Sequence, residues 1–216
     1  MDIKTNESAF VIFESVAEKE MLMYEAVIEM VKEDYDIKSI KVSDITKRAG
    51  IGKGTAYEYF SSKEEIIAKA LLFDTYSHLK RIKNILDDQK GFKEKLFRLF
   101  DYLEENLPHT KGVGSLMKMF SGTFELGENI KKEFDMIQAA DFGPVRYVEN
   151  IIDLFMLQGL EEKLYSEQDV ILRRSVFATQ ITGYIYCIMN HFYNGKISKE
   201  KAREFAYESI VKLLNS

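Results

Sequence analysis

The chain has 216 residues, 46% of them hydrophobic, with two prolines, one cysteine and a formal net charge of -5. That length suffices to bury a core in one or two domains, while the single Cys187 excludes an intrachain disulfide or a cysteine-rich metal site and fits a reducing cytoplasm. No apolar run approaches the ~18 residues of a membrane span, residues 1–20 are too acidic and broken for a signal peptide, and strand signals are poor, which leaves an all-α fold.

Residues 1–14 read as an N-terminal extension. Phe10, Val11, Ile12 and Phe13 make it too apolar for a free tail, so it is expected to pack. Ser15 and Glu18 have the spacing of a capping box, and Met23, Ala26, Val27, Met30 and Val31 then recur at helical intervals to an end near Asp34. A short helix follows with Val42, Ile45, Thr46 and Ala49 on its buried face. It cannot pass Gly50, which can take the left-handed conformation that closes a helix, and Ile51 then turns inward as an apolar plug. With Gly52 as N-cap, residues 53–59 fill about two turns, and Ala56 and Phe60 lie four apart on the face that packs back. Two short helices about a glycine turn make a helix-turn-helix, whose second helix is narrow enough to enter the DNA major groove.

The net charge is unevenly placed. From Lys38 to Lys63 six basic residues (Lys38, Lys41, Lys47, Arg48, Lys53, Lys63) face only Asp44 and Glu58, so this stretch carries +4 and the rest of the chain -9. Phosphate attracts such a tip and repels such a body.

The run D-I-x-x-x-A-G-I at Asp44 to Ile51, followed by K-G-T-x-Y-x-Y-F-x-S-K-E-E at Lys53 to Glu65, resembles the tetracycline-repressor (TetR) family of bacterial transcription regulators. The resemblance extends more weakly from Tyr24 to Leu71. It departs from the family's usual pattern in having Lys41 where a Ser or Thr caps the first helix, Thr46 for Ala, and Gly52 where a Ser often caps the recognition helix. It implies a DNA-binding domain at residues 15–71, with Lys41, Ser43, Gly52, Lys53, Gly54, Thr55, Tyr57, Tyr59 and Lys63 against a palindromic operator of double-stranded DNA. Lys53 and Thr55 can offer donors, a hydroxyl and a methyl to base edges, and Gly54 keeps the surface flat for close approach. Tyr57 and Tyr59 resemble the family's phosphate contacts, as does Lys63 at the start of the next helix. Ser61 with Glu64 and Ser62 with Glu65 both fit a capping box there.

Residues 72–216 read as a helical effector-binding and dimerisation domain, giving about nine helices in all. A long helix runs from Lys63 to about Gln89, with Leu72, Tyr76, Leu79, Ile82 and Leu86 on one face. After Gly91 a second carries Phe92, Leu96, Leu99, Phe100, Leu103 and Leu107 and stops at Pro108. A glycine-broken region rich in Met and Phe follows, and Pro144 is placed to open the helix bearing Val148, Ile151, Ile152, Phe155 and Met156. Apolar and aromatic side chains here suit a small apolar or aromatic effector, with Tyr76, Leu79, Phe100, Met117, Phe120 and Tyr147 as candidate lining. The last two helices, 168–193 and 199–214, resemble the family's dimer-forming pair, which builds a four-helix bundle with a second copy. Ile171, Ser175, Ala178, Thr182, Ile185, Ala202, Ala206 and Ile210 are its candidate contacts.

The reading that unites these features is a homodimeric, ligand-responsive repressor of transcription, needing no cofactor, metal or membrane. A metal or redox sensor is the second class, because Cys187 and His191 are four apart. They make two ligands where zinc takes four, and His78 and His109 are distant in sequence. A helical enzyme is the third, although no H-E-x-x-H, phosphate loop or nucleophile elbow is present.

Overall fold

The computed structural model of the chain describes residue 13 and residues 15–107, 127–140, 144–190 and 195–216. Nine α-helices lie in full among the described residues, with a 3-10 turn at Ile37–Ser39 and no strand. They are α1 (Glu18–Lys32), α2 (Val42–Arg48), α3 (Lys53–Tyr59), α4 (Lys63–Asp87), α5 (Phe92–Asn106), α6 (Glu128–Ala140), α7 (Pro144–Glu161), α8 (Val170–Met189) and α9 (Lys199–Leu213). The fold is all-α, and none of these helices is long and apolar enough to cross a membrane. The chain divides into two compact units, Met1–Leu79 with Thr110–Tyr147 and Lys80–His109 with Val148–Ser216.

The first unit is organised by α1. Met23, Tyr24, Ala26, Val27 and Met30 are buried on it, as their helical spacing requires, and meet Ile45 from α2, Ala56 from α3 and Ile66, Ile67 and Ala70 from α4 in one core. Phe13 enters the same core. It lies edge-on to Tyr24 and Phe73, at 6.3 and 5.6 Å between ring centroids, and stacks on Tyr76 at 5.9 Å. So the extension does pack at this residue; Phe10, Val11 and Ile12 lie outside the described residues. The start of α1 departs from the Ser15 expectation. Ala17 is the N-cap, and the Glu20 carboxylate accepts its N–H at 3.1 Å, so the carboxylate half of a capping box forms two residues later than the serine predicted. At α4 the Ser62–Glu65 pair forms in part, with Ser62 Oγ accepting the Glu65 N–H at 3.0 Å, while Ser61 turns to Glu65 rather than to Glu64: the Glu65 carboxylate accepts the Ser61 N–H and hydroxyl, each at 2.8 Å.

The second unit packs Phe92, Leu96 and Phe100 of α5 against Phe155 of α7, Phe177 and Tyr184 of α8, and Ala202, Ala206 and Ile210 of α9. Side-chain caps close the N-termini of α8 and α9: Asp169 accepts the Ile171 and Leu172 N–H groups, and Ser198 accepts that of Lys201. A polar knot crosses the apolar layer. The Arg203 guanidinium on α9 donates to Glu104 at 2.8 and 2.7 Å and to Asp101 at 2.5 Å, both on α5, while the Tyr184 hydroxyl and Lys199 ammonium also reach Glu104. Burial opposes the charge of Arg203, but the hydrogen bonds to Glu104, Asp101 and Tyr184 hold its pKa above the usual value. Burial likewise works against ionised Asp101, yet the hydrogen bond from Arg203 outweighs it and holds the carboxyl below its ordinary range.

Removing the cation while keeping the stem leaves two carboxylates poorly compensated. Arg203→Met is expected to lower unfolding free energy by about 2 to 4 kcal/mol at neutral pH in denaturant titration. A carboxyl with a lowered folded pKa contributes stability above its unfolded value of about 3.9 and loses it as pH falls through the folded value. The gap between wild type and variant should therefore narrow below that pH. An unchanged gap down to acid unfolding would remove Asp101 from the account.

Candidate nucleic-acid interface

The reversal between α2 and α3 is closed by backbone geometry that only a few residues tolerate. Gly50 has φ of +68°, the Ile51 N–H returns to the Thr46 carbonyl at 3.0 Å, and the Gly50 N–H to that of Lys47 at 3.4 Å. This pair of bonds is a Schellman closure, which satisfies carbonyls that the helix end would otherwise leave open. Thr46 is 4% exposed and Ala56 fully buried, so the two helices meet through small side chains. Lys41 opens α2 without a side-chain cap; instead the Asp44 carboxylate accepts its N–H at 3.0 Å. Gly52 opens α3 in extended backbone, also with no side-chain cap.

Burying Ala56 and Phe60 inward turns the rest of α3 outward. Lys53, Gly54, Tyr57, Glu58 and Tyr59 are exposed and Thr55 is partly so, while Lys41 and Ser43 are exposed at the start of α2. These are the arrangement's chemical resources: two ammonium groups, two phenols, a carboxylate, a threonine and a serine hydroxyl, and a glycine, on the seven residues of α3 and at the start of α2. Gly54 has an ordinary φ, and a Cβ built on it would meet nothing within 4 Å. Nothing in the fold asks for glycine at this position.

Residues 29–70, which contain this helix pair and the turn that joins it, match the family described as bacterial regulatory proteins, tetR family. The chain carries a tetR-family headpiece. Solved structures of similar fold extend over nearly its whole length. The fatty acid degradation regulator FadR of Bacillus halodurans is 16% identical over 93% of this chain and 97% of that one, with a TM-score of 0.61. FadR of Bacillus subtilis, solved in complex with stearoyl-CoA, is 20% identical over 90% and 97%, at 0.56. A TetR family protein of Vibrio parahaemolyticus is 14% identical over 92% and 100%, at 0.64. At these identities the likeness speaks for the fold, that of tetR-family transcriptional regulators. A search of curated protein sequences finds no match to this chain.

Arg48 and Lys63, both in the basic tip of the headpiece, have internal partners. Arg48 donates to Glu33 at 2.7 Å, lies 3.9 Å from Glu29 and sits over the Tyr35 ring at 5.5 Å, which pins the end of α2 to α1. The Lys63 ammonium donates to the carbonyls of Ile40 at 3.0 Å and Lys38 at 3.3 Å. The Glu64 carboxylate lies 4.0 Å away, beyond hydrogen-bond distance, so one of the ammonium's three donors remains for a phosphate oxygen. Neither pairing has a signal in sequence, since the partners are 15 and 23 or more residues away.

The effector candidates fall in both units. Tyr76, Leu79 and Tyr147 belong to the first, where Tyr76 and Tyr147 pack against its core; Phe100 belongs to the second, buried and stacked on Tyr184 at 3.9 Å. Met117 and Phe120 lie outside the described residues. The dimer candidates also divide. Ile171, Ser175, Ala178 and Thr182 are exposed in one stripe along α8, whereas Ile185, Ala202, Ala206 and Ile210 are covered by the chain's own residues. Exposed Tyr186, Met189 and Leu213, together with Phe205 at 68%, were not among the candidates. A groove of about 840 Å³ runs between α8 and α9, lined by Gly183, Tyr184, Cys187, Ala202, Phe205 and Ala206 among others. His78 stands 3.7 Å from Asp74 one turn away, and His109 and His191 lie outside the described residues. Among the described residues no three His, Cys, Asp or Glu side chains are grouped to hold a metal ion.

Gly54 separates fold from function in a testable way. Alanine is the better helix former by up to about 1 kcal/mol, so Gly54→Ala should melt no lower than wild type. Its affinity for operator DNA should nevertheless fall roughly tenfold, the weight of one good base contact, because the added methyl stands between helix and groove. Unchanged affinity in an anisotropy titration would mean that this face does not approach DNA closely.

Proposed function

We propose that the protein is a homodimeric transcriptional repressor that binds a palindromic operator through α2 and α3 and is released when a small apolar or aromatic effector binds its C-terminal body. The observation that carries this reading is the coincidence of three features in one headpiece: the tetR-family match over residues 29–70, the charge of +4 between Lys38 and Lys63, and the outward side chains of α3, suited to phosphate and base edges. Lys53 and Thr55 read base edges. Tyr57, Tyr59, Lys41, Ser43 and the remaining donor of Lys63 hold phosphate, while Gly52 and Gly54 permit close approach. With ~3 to 4 phosphate contacts for each of two headpieces, log affinity should fall against log salt with a slope near about -6. A slope near zero would contradict phosphate-driven binding.

The second copy docks on the outward face of α8 and α9. Ile171 at 69% exposure, Phe205 at 68%, Tyr186 and Met189 form an apolar surface interleaved with the small side chains of Ser175, Ala178 and Thr182, which let helices approach. A self-complementary patch of this kind matches two-fold symmetry, and two-fold symmetry matches a palindrome. Arg at Ala178 or Thr182 should yield folded monomers with weakened operator binding; light scattering near 25 kDa for the unmodified chain at micromolar concentration would exclude the dimer.

A fold neighbour holds stearoyl-CoA, so long-chain acyl-CoA is the first effector class to try. An effector acts only through its preference for the released state, and a coupling of ~1 to 3 kcal/mol weakens DNA binding ~5- to 150-fold. Linkage requires operator DNA to lower effector affinity by the same factor. A single dissociation constant measured with and without saturating operator would leave the body as a dimerisation scaffold alone.

A further inference from the structure

The tip of the headpiece holds two acidic residues among its basic ones, and only one has an internal task. Asp44 accepts the Lys41 N–H at 3.0 Å and the Ser43 hydroxyl at 3.5 Å, so its carboxylate builds the start of α2. Glu58 is exposed on α3 and makes no hydrogen bond or ion pair among the described residues. A carboxylate beside phosphate is repelled, so its placement on the reading helix has a cost that no partner among the described residues offsets.

Its angular position is specific. Ala56 is the buried residue of α3, and at 100° per residue Gly54 and Glu58, two positions to either side, both lie about 160° around the helix from it. They form the line that faces directly away from the headpiece. Thr55 and Tyr57 flank that line. Gly54 has no side chain and no internal reason to lack one, which lets the helix sit deep. One turn on, about 6 Å along the axis, a side chain of Glu58's length then reaches a base edge rather than the backbone.

In the major groove guanine presents N7 and O6 and thymine O4, all acceptors that repel a carboxylate. Adenine presents an N6 donor beside the N7 acceptor, and cytosine presents the N4 amino group with no acceptor next to it. We propose that Glu58 is a specificity-determining residue that reads one cytosine in each operator half-site by accepting from its N4 amino group. The inference rests on the DNA-binding reading above and adds to it a base identity.

The test is selection from a randomised duplex pool by the full-length protein and by its Glu58→Gln and Glu58→Ala variants, all at one salt concentration. The wild type should enrich a palindrome with cytosine at one position and its symmetry mate, by about fivefold or more over the other bases. Glu58→Gln should move that single position to adenine, whose N6 and N7 suit an amide, and Glu58→Ala should level it, with the rest of the palindrome unchanged. One palindrome common to all three proteins, with the variants merely binding more tightly, would overturn the proposal and leave the DNA-binding reading standing. Failure of all three to enrich any sequence would overturn both. Because Glu58 is exposed and unpaired, the variants should melt with the wild type, and a shared melting temperature confirms that the comparison concerns recognition.

Discussion

The headpiece depends on one backbone reversal. Gly50 at φ +68° sends the chain back within a single residue, and the Ile51 bond to Thr46 seals the end of α2 so that α3 can begin at Lys53. A side chain at Gly50 would meet nothing in space, so the constraint is conformational: the left-handed region disfavours a Cβ through its own backbone. Small residues at the crossing, Thr46 and Ala56, then let two helices of seven residues share a core with α1 and α4. Helices that short are not stable alone, so their direction is set entirely by this packing. Which side chains face outward on α3 follows from which one, Ala56, is locked in.

The rest of the first unit stabilises that geometry with charges and rings. Arg48 and Lys63 are part of the positive tip, yet one is bonded to Glu33 at the C-terminal end of α1 and the other to the carbonyls of Ile40 and Lys38. The positive charge remains available to long-range attraction, while the side chains serve as struts. Glu65 repeats the device at the head of α4. Burial works against its ionisation, but hydrogen bonds from Lys69 and from the Ser61 backbone and hydroxyl hold its carboxyl below the usual range. Phe13, Tyr24, Phe73 and Tyr76 pack ring on ring behind these polar ties, so a residue of the N-terminal extension takes part in holding α1 against α4.

Much of this was legible in the chain because helix periodicity and glycine placement are local signals. Met23, Ala26, Val27 and Met30 are buried as their spacing required, α2 stops where Gly50 said it must, and Pro144 opens α7. What was not legible is long-range. Ser15 with Glu18 was as good a capping pair by spacing as Ala17 with Glu20, and tertiary packing chose the second. The family resemblance pointed to the penultimate helix as a dimer element but could not say which of its side chains the chain covers itself, so Ile185 was grouped with Ile171 although one is buried and the other exposed. Glu58 passed unnoticed for a related reason. In a charge count it subtracts one, and only its place opposite Ala56, with no partner, gives it meaning.

In the proposed dimer α3 is a probe held outward and used twice about a two-fold axis. The most direct measurement is hydroxyl-radical footprinting of the full-length protein on the tightest duplex it selects. A symmetric pair of headpieces should give two protected windows related by a dyad, centred about one helical turn or a whole multiple of it apart and lying on one face of the duplex. A single unbroken window without a dyad, or protection that moves freely along the duplex, would contradict it.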